Sequence, residues 1–343
     1  MNPVRSEYGG GEFIPIPGFV DLQVNGFGGV DFSDPELSKA DLLDAWRALL
    51  NRGTAAFLAT VITSPMETYR RNLPLLVRTL ESDEFRGRVL GLHLEGPFIS
   101  SEPGAVGAHD PASVQAPDLE LLEELLDLGG GYVRLLTVAA ELPGVEELIE
   151  AATARNVTVS LGHSVFDQDD LVRLRGCGAR ALTHLGNGLP NLLPRHPNPI
   201  WDGLSNDNYV AMIIADGHHL PASVLRVAAS AKGQDRLIVV SDASPVAGLP
   251  AGEYQVLGNR AILEPSGRLH NPDKQCLVGS SATMLDCMNV FASVTDFDLE
   301  ELLAVGFYNS LALIGLAPDV VRGEEGAGLA FVNRRFTLRS DSA

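Results

Sequence analysis

The sequence has few cysteines, few basic residues and no long apolar run, and each shortage excludes a class of protein. Cys177, Cys276 and Cys287 are odd in number and far apart, so they predict neither a disulfide framework nor a cysteine-rich metal knuckle. The 25 Lys and Arg residues are outnumbered by 44 Asp and Glu residues. The resulting formal charge of −19 argues against nucleic acid or an anionic membrane as a partner.

The distribution of apolar residues indicates a water-soluble protein. No apolar stretch approaches the roughly 20 residues that a membrane-spanning helix needs, and the polar start MNPVRSEYGGGEF is not typical of a signal peptide. We therefore expect a cytoplasmic protein whose thiols are reduced. Its 343 residues are enough for a large core, and single barrel domains commonly reach this size.

Apolar runs alternate with amphipathic segments along most of the chain, which is typical of parallel βα units. Eight strands are predicted between Phe19 and Asp242, and helices are predicted over residues 37–53, 66–81, 119–128, 145–154, 168–175 and 222–231. Two further helices and a short apolar strand, GLAFVN, are expected near the C-terminus. Residues 246–270 are rich in turn residues and predict antiparallel hairpins. The fold class is therefore α/β.

These elements predict a (β/α)8 TIM-type barrel with a small, reduced β subdomain. We assign residues 16–245 and 271–325 to the barrel. Residues 1–15, 246–270 and 326–343 are assigned to the small subdomain. No internal repeat or low-complexity linker interrupts the chain.

Five of the predicted strands end in a polar residue of catalytic type. They are Glu95 in GLHLEGPF, His163 in SLGHS, His184 in ALTHLGN, His219 in IIADGHH and Asp242 in LIVVSDAS. The carboxyl ends of the strands are where a (β/α)8 barrel carries its chemistry. A Glu with two His is also the ligand set of an open zinc site whose fourth position is left for water.

The sequence thus predicts that Glu95, His163 and His184 bind a divalent metal ion. Carboxylate and imidazole suit Zn²⁺ and Fe²⁺ alike, so the pattern does not separate the two metals. A structural interpretation exists for each residue, because a strand-end Glu can be a cap and a lone His is often a satisfied structural residue. Two His on consecutive predicted strands favour metal binding.

Eight fragments carry a resemblance to a known family. In chain order they are PGFVDLQVNGFGGVDF, GLHLEGPFIS, GAHDP, GHS, THLGNGLPNLLPR, IADGHHLP, VSDASPVAGLPAG and LVGSSATM. Together they resemble the N-acetylglucosamine-6-phosphate deacetylase family of the amidohydrolase superfamily. The resemblance implies a metal-dependent barrel with a small β-sandwich built from both chain ends, in which the short N-terminal segment leaves the first sandwich strands short or missing. It also implies hydrolysis of the acetamide of N-acetylglucosamine 6-phosphate.

The resemblance implies catalytic roles for two further residues. Asp242 matches the residue that shuttles the proton, which is reasonable because one carboxylate can serve first as base and then as acid. Its structural alternative is a hydrogen-bonded turn Asp before Ala-Ser-Pro. His109 in GAHDP matches the histidine that supports the substrate carbonyl oxygen.

A second set of matches concerns the substrate. The resemblance makes Arg195 and His219 the phosphate ligands, with Asn187 and Gly188 beside them, and an Arg fork with backbone N–H groups suits a phosphate. His218 is adjacent to His219 and the two could exchange roles, while Arg195 could be an ordinary surface residue. The other matched positions are Ala108, Asp216, Leu277, Val278 and Gly279. Gly186 and Gly188 depart from the bulkier residue and the Ala that the family usually has.

One departure bears on the number of metal ions. Many amidohydrolases carry His-x-His after the first strand, whereas this chain has Gln23 and Asn25, and neutral amides are weak metal ligands. We therefore expect one divalent ion per chain, with Zn²⁺ favoured and Fe²⁺ as the alternative. Separately, we expect the protein to be a homodimer. Alternative functions are deacetylation of another N-acylated amino sugar or small molecule, and an inactive sugar-phosphate-binding module.

Overall fold

A computed structural model describes residues 12–14, 16–323 and 328–338 of the chain. Its central sheet has eight parallel strands, arranged in the order in which they occur in the sequence. These first to eighth barrel strands are Phe19–Val24, Thr54–Ile62, Val89–Glu95, Val133–Val138, Thr158–Leu161, Ala179–Leu182, Val210–Ile214 and Leu237–Val240. The sheet closes where Val24 bridges Ala243 and the Asn25 N–H donates to the Ala243 carbonyl at 2.8 Å. The predicted barrel is confirmed.

Helices connect the strands and cover the outside of the barrel. They are Lys39–Leu50, Met66–Leu80, Leu119–Leu128, Val145–Ala154, Gln168–Cys177, Pro199–Ser205, Ala222–Lys232 and Met284–Val294, followed by Leu299–Leu303, the π-helical Ala304–Tyr308 and Asn309–Leu313. Short 3₁₀ turns occupy Pro111–Ser113, Gln234–Arg236 and Pro318–Val320. The helix Pro199–Ser205 was not predicted, because its proline-rich surroundings suggest a loop. Asn198 starts this helix by accepting hydrogen bonds from the N–H groups of Ile200 and Trp201.

The barrel strands are short apolar runs because both of their faces are buried, one in the barrel interior and one under the helices. The second strand, Thr54–Ile62, is buried along its whole length. Polar side chains on the strands are therefore exceptions that need a reason. Among the described residues, no helix has both the length and the apolar character needed to cross a bilayer.

Two small antiparallel sheets lie outside the barrel. One contains Gly252–Val256, Asn259–Leu263, Leu269–Asn271 and Cys276–Leu277, and the other contains Glu12–Ile14, Leu329–Val332 and Arg335–Leu338. A two-stranded ribbon, Gly26–Phe27 with Val30–Asp31, follows the first barrel strand. The predicted hairpins of residues 246–270 are present, and their sheet continues to Leu277. The domain boundaries themselves stay a prediction, and the parts of it that concern residues 1–11, 15, 324–327 and 339–343 lie outside the described residues.

The four-stranded sheet reaches the mouth of the barrel through three hydrogen bonds. Asn259 donates from its side chain to the Ala108 carbonyl at 2.8 Å. The backbone N–H of Ser280 donates to the Asp242 carbonyl, and that of Ser244 donates to the Ser280 carbonyl, both at 2.8 Å. The sheet is thereby attached to the loops that carry two of the predicted site residues.

Candidate metal centre and active site

The strand-end residues converge at one end of the barrel. Glu95 is the last residue of the third strand, and His163, His184 and Asp242 each lie two residues beyond the fifth, sixth and eighth strands. The last three have left-handed backbone φ angles of 49°, 32° and 50°. Non-glycine residues rarely adopt this conformation, and such residues cluster at functional sites. The sharp turn after each strand aims its side chain across the barrel mouth.

Glu95, His163 and His184 form a compact cluster of potential metal ligands. One ligand atom from each lies within 4.8 Å of the others, and all three side chains are buried. Glu95 Oε1 is 2.9 Å from His184 Nε2 and 3.3 Å from His163 Nε2, and the two Nε2 atoms are 3.1 Å apart. Within the part of the chain that the structure describes, this is the one group of three such side chains arranged to hold an ion.

The protonation of the cluster shows that it fits a cation. His163 Nδ1 lies 2.7 Å from the Ala105 carbonyl, which can only accept, so Nδ1 carries a proton and Nε2 can present a lone pair. Donation of the outer ring N–H to a carbonyl is the usual arrangement of a metal-binding histidine. Lone pairs from two imidazoles and a carboxylate repel one another in so small a volume unless a positive charge lies among them.

The titration behaviour of the ion-free cluster agrees with this conclusion. Burial alone lowers the pKa of His163, but its hydrogen bond to Glu95 and the charge of that carboxylate raise the value above the usual one. Burial alone raises the pKa of Glu95, yet hydrogen bonds from His163 and His184 bring it well below its usual range. The surroundings of these three side chains therefore favour a negative carboxylate with positive charge beside it.

Gln23 and Asn25 orient the two carboxylates of the site. Gln23 Nε2 donates to Glu95 Oε1 at 2.8 Å, and Asn25 Nδ2 donates to Asp242 Oδ1 at 2.7 Å. Both amides are thus engaged as hydrogen-bond donors to carboxylates of the site.

His109 presents a hydrogen-bond donor to the cluster. The Thr63 N–H donates to its Nδ1 at 3.3 Å, so the neutral ring carries its proton on Nε2. That Nε2 atom is 3.1 Å from His163 Nε2 and 3.8 Å from Glu95 Oε2. Burial, followed by the charge of His163, lowers the pKa of His109 to about 3, so its ring is neutral at neutral pH.

Asp242 is a buried carboxylate beside the cluster with one oxygen held by Asn25. Burial, followed by the charge of Glu95, raises the pKa of Asp242 to about 6. A Cβ at Gly279 would lie 3.0 Å from the Asp242 carbonyl oxygen and 3.7 Å from Oδ2, and Gly279 has a φ of 62°. Glycine at this position therefore lets the neighbouring loop lie directly against Asp242.

The cluster lies at the base of a cavity of about 780 Å³. This volume is in the range of pockets for small molecules. The predicted site residues that line it are Glu95, Ala108, His109, His163, His184, Asn187, Gly188, His219, Asp242, Leu277 and Gly279.

Comparison with known proteins identifies the family. No model of a known protein family matches the chain. The chain is, however, 34% identical over 331 residues to N-acetylglucosamine-6-phosphate deacetylase of Bos taurus, covering 94% of this chain and 80% of that protein. It is 35% identical over 329 residues to the Homo sapiens deacetylase, covering 93% and 79%. The chain belongs to the N-acetylglucosamine-6-phosphate deacetylase family.

Solved structures of this family have the same architecture. The Mycobacterium smegmatis deacetylase aligns with a TM-score of 0.85 at 25% identity, covering 99% of this chain and 89% of that one. A mutant of that enzyme in complex with N-acetyl-D-glucosamine-6-phosphate aligns at 0.82, with 25% identity and coverage of 93% and 83%. The Pasteurella multocida deacetylase aligns at 0.81 with 29% identity, covering 94% and 83%. The resemblance noted in the sequence is confirmed.

The two adjacent histidines of the deacetylase chain lie in different surroundings. His219 lines the cavity, its Nδ1 donates to Asp216 Oδ2 at 2.8 Å, and no described residue hydrogen-bonds to its Nε2. His218 lies outside the cavity lining, with its Nε2 3.1 Å from the Ser266 carbonyl. Asp216 also lies outside the lining and accepts the backbone N–H groups of both histidines. The geometry therefore favours His219 over His218 as a substrate contact.

Besides His218 and Asp216, two further predicted substrate residues are not brought to the cavity wall. Arg195 is exposed and lies three positions beyond Leu192, which does line the cavity. No described residue forms an ion pair with its guanidinium. Val278 is fully buried in the apolar core of the four-stranded sheet, so it supports Leu277 and Gly279 from behind.

Lys274 is a functional candidate that the sequence analysis missed. Among the described residues that line the cavity it is the one Lys or Arg, and its charge contributes to lowering the pKa of His109. Its position three residues before Leu277 was the available signal. A lone lysine in a turn gave no reason to prefer it to other surface lysines.

The structure also explains the departure at Gly188. A Cβ on this residue would lie 3.0 Å from His163 Nδ1 and 3.2 Å from His184 Cε1, and its φ is 61°. Alanine would be strained in this conformation and would press on both rings. The glycine thus allows the loop to pack directly on two of the metal-ligand candidates.

Proposed function

We propose that this chain hydrolyses N-acetylglucosamine 6-phosphate to glucosamine 6-phosphate and acetate. The observation that carries the proposal is the buried Glu95, His163 and His184 cluster with Asp242 and His109 beside it, in a member of the deacetylase family. A substrate named for the relatives and bound in one of their structures supports the same reaction.

Glu95, His163 and His184 would hold a divalent ion, for which we propose zinc, and that ion would supply Lewis-acid chemistry at the amide carbonyl and the attacking water. Asp242 then takes a proton from the attacking water. As the carbon–nitrogen bond breaks, Asp242 returns that proton to the nitrogen, so that acetate and the free amine leave. One carboxylate can serve both steps because Asp242 lies beside the cluster, with one oxygen held by Asn25 and the other available to take up and release a proton.

His109 supports the carbonyl oxygen. Its neutral ring donates from Nε2 because Nδ1 accepts from Thr63, so the donor is already oriented before negative charge builds on the oxygen. The low pKa of His109 keeps the ring from entering the reaction as an acid.

The phosphate is proposed to lie at the rim of the cavity. His219 is held there by Asp216, Lys274 adds a positive charge, and Asn187 and Gly188 supply nearby polar groups. Arg195 remains a proposed phosphate ligand because of the family resemblance and because no described residue forms an ion pair with its guanidinium. Ala108, Leu277 and Gly279 would contact the sugar.

The test is acetate release from phosphorylated and unphosphorylated N-acetylglucosamine under the same conditions. The proposal predicts a higher kcat/KM for the phosphorylated sugar. Equal rates would favour a deacetylase of another N-acylated compound, and binding without acetate release would favour an inactive sugar-phosphate-binding module.

Three finer points belong to the same proposal. We propose one zinc ion per chain, with Fe²⁺ as the alternative metal. We propose a cytoplasmic location, which agrees with three free thiols and no disulfide among the described residues. We also propose a homodimer, for which the exposed Leu192 at the cavity wall is the supporting surface. Sedimentation of Leu192→Asp against the parent chain tests the dimer.

A further inference from the structure

A continuous set of polar side chains crosses the barrel interior beneath the metal cluster. We call it the polar belt. It consists of Thr60, His93, Thr137, Ser160 and Thr183, which come from the second to fifth strands and from the residue after the sixth. All five are fully buried or nearly so. Barrel interiors are ordinarily filled by branched apolar side chains, so five polar residues in one layer need an explanation.

The belt is joined by an unbroken series of hydrogen bonds. Thr60 Oγ1 lies 3.3 Å from His93 Nδ1, and His93 Nε2 lies 2.8 Å from Thr137 Oγ1. Thr137 and Thr183 share a hydrogen bond of 2.8 Å, and the Thr183 hydroxyl donates to Ser160 at 2.6 Å. At the other end, Thr60 accepts the backbone N–H of Val24 on the first strand at 3.0 Å. Six neighbouring strands are thus linked by side chains as well as by the sheet.

His93 is the central member of the series, because its two ring nitrogens face hydroxyl groups on the second and fourth strands. The Thr183 hydroxyl lies between those of Thr137 and Ser160 in the same way. Removal of the Thr137 or the Thr183 hydroxyl therefore interrupts the series and leaves a buried neighbour without one of its hydrogen-bond partners.

The belt contacts the backbone at each of the three proposed ligands. Thr183 directly precedes His184, and His93 lies two residues before Glu95 on the same strand. Gly162 directly precedes His163, and a Cβ added there would lie 2.6 Å from Thr183 Cβ and 3.0 Å from Thr137 Cγ2. A shift of Thr183 or His93, or of Thr137 against Gly162, would therefore move the backbone next to a proposed ligand.

We infer that the polar belt sets the spacing of Glu95, His163 and His184 for a divalent ion, with His93 and Thr137 as positioning residues. This inference rests on the metal centre proposed above. One potential ligand atom from each of the three residues lies within 4.8 Å of the others, and a spacing this close depends on how the three strand ends are held by groups that do not themselves bind the metal. The hydrogen-bonded belt provides that restraint one layer below the ligands.

Thr137→Val tests the inference with little change in side-chain volume. Metal-free protein is titrated with Zn²⁺ against a chromophoric chelator, which gives the dissociation constant without any substrate. We expect zinc to bind about tenfold more weakly or worse, the effect typical of lost outer-shell partners. Thr137→Ser restores a hydroxyl and should recover most of the affinity. Thr183→Val breaks the belt at another point and replaces Thr137→Val if that variant does not fold.

Thr54→Val is the matched control. Thr54 is also a buried threonine on a barrel strand, but its hydroxyl has no hydrogen-bond partner and it lies at the start of the second strand. Its zinc affinity should equal that of the parent. Urea unfolding in chelator is measured for each variant, because a merely structural role would lower the stability of the metal-free protein and leave the zinc affinity unchanged.

The possible outcomes separate the inference from the function on which it rests. Parental zinc affinity in both Thr137→Val and Thr183→Val would overturn the inference while the metal centre stands. An equal loss in Thr54→Val would overturn it as well, because the effect would then belong to the barrel in general. If the parent chain itself binds no zinc or other divalent ion, the metal centre is wrong and the inference falls with it.

Discussion

The base and the rim of the cavity hold their functional residues in different ways. At the base, Glu95, His163, His184 and Asp242 are buried at strand ends, and each hydrogen-bonds to another polar group of the site or to nearby backbone. At the rim, Arg195 and Lys274 are exposed on loops, and no described residue forms an ion pair with either side chain. The proposed catalytic residues are thus fixed in place by the barrel, whereas these two proposed phosphate contacts lie on loops.

This difference has an energetic meaning. Dipoles and charges that are already oriented stabilise a transition state without reorganisation, and they do so more strongly where water is excluded. Exposed charges are screened by solvent and contribute less individually. Substitutions at the base should therefore reduce turnover of any substrate, while substitutions at the rim should affect only a substrate that carries the phosphate.

The largest effect is expected for His184→Ala. Loss of one of three proposed ligands should abolish tight metal binding and reduce turnover by roughly 10³-fold or more, since both the bound ion and its chemistry are lost. Metal content by elemental analysis and acetate release measure the two effects. His196→Ala, a change at an exposed histidine of the neighbouring loop, should leave both unchanged. Full activity in metal-free His184→Ala would contradict the assignment of His184 as a metal ligand at the bottom of the cavity.

Asp242→Asn is expected to separate chemistry from metal binding. The amide keeps the volume of the side chain but cannot take a proton, so turnover should fall by roughly 10²-fold or more while the metal is retained. Metal analysis and single-turnover rates test this expectation. Asp235→Asn, at an exposed carboxylate before the eighth strand, is the control. Near-normal turnover of Asp242→Asn would exclude it as the base.

At the rim, Arg195→Ala should raise KM for the phosphorylated sugar and barely affect the unphosphorylated one. A charge-assisted pair with phosphate is worth on the order of 1.5–3 kcal/mol, or roughly a tenfold to hundredfold change in kcat/KM. Lys274→Ala should act in the same direction by no more than about fivefold, as expected of an exposed charge.

The control for the rim is Arg260→Ala. This change removes a positive charge from the four-stranded sheet whose last turn carries Lys274. Arg260 pairs with Glu253 and does not line the cavity, so neither sugar should be affected. Equal losses on both sugars in Arg195→Ala would mean that Arg195 supports the fold or the metal centre.

The pH dependence of kcat/KM should be set by Asp242, the proposed general base. Asp242 accepts a proton only as the carboxylate, so the rate rises with pH until this group is ionised. Burial and Glu95 raise the pKa of Asp242 to about 6 in the ion-free site, and a bound cation favours the carboxylate and lowers that value. Activity should therefore fall about tenfold per pH unit on the acid side, with a midpoint at or below 6. If the midpoint of this acid-side fall in kcat/KM lies well above pH 6, the fall belongs to a group other than Asp242.

The base of the cavity was predictable from sequence for a physical reason. A buried strand must be apolar, so a Glu, His or Asp at its end stands out, and parallel strands necessarily bring their carboxyl ends together. Glu95, His163, His184 and Asp242 all follow this rule. His109 lies on a loop and was found only through the family resemblance, although its contact with Thr63 is as specific as those of the strand-end residues.

The rim and the interior were less predictable. Lys274 lies in a turn where any polar residue is compatible with the sequence pattern, and the placement of His219 over His218 depends on the hydrogen bond to Asp216. His93 was visible in HLEGPF, but its role depends on hydroxyl groups from other strands, whose register the sequence does not reveal. Contacts between distant segments, rather than local pattern, decide these positions.

The most direct test of the whole account is acetate release by metal-free protein during titration with Zn²⁺. Glu95, His163 and His184 are proposed as the only protein ligands of one ion, and Gln23 and Asn25 are committed to orienting carboxylates. The rate of hydrolysis of N-acetylglucosamine 6-phosphate should therefore rise linearly and level off at about one equivalent per chain. Undiminished hydrolysis in the metal-free protein, or a rise that continues to two equivalents, would contradict the single-ion site.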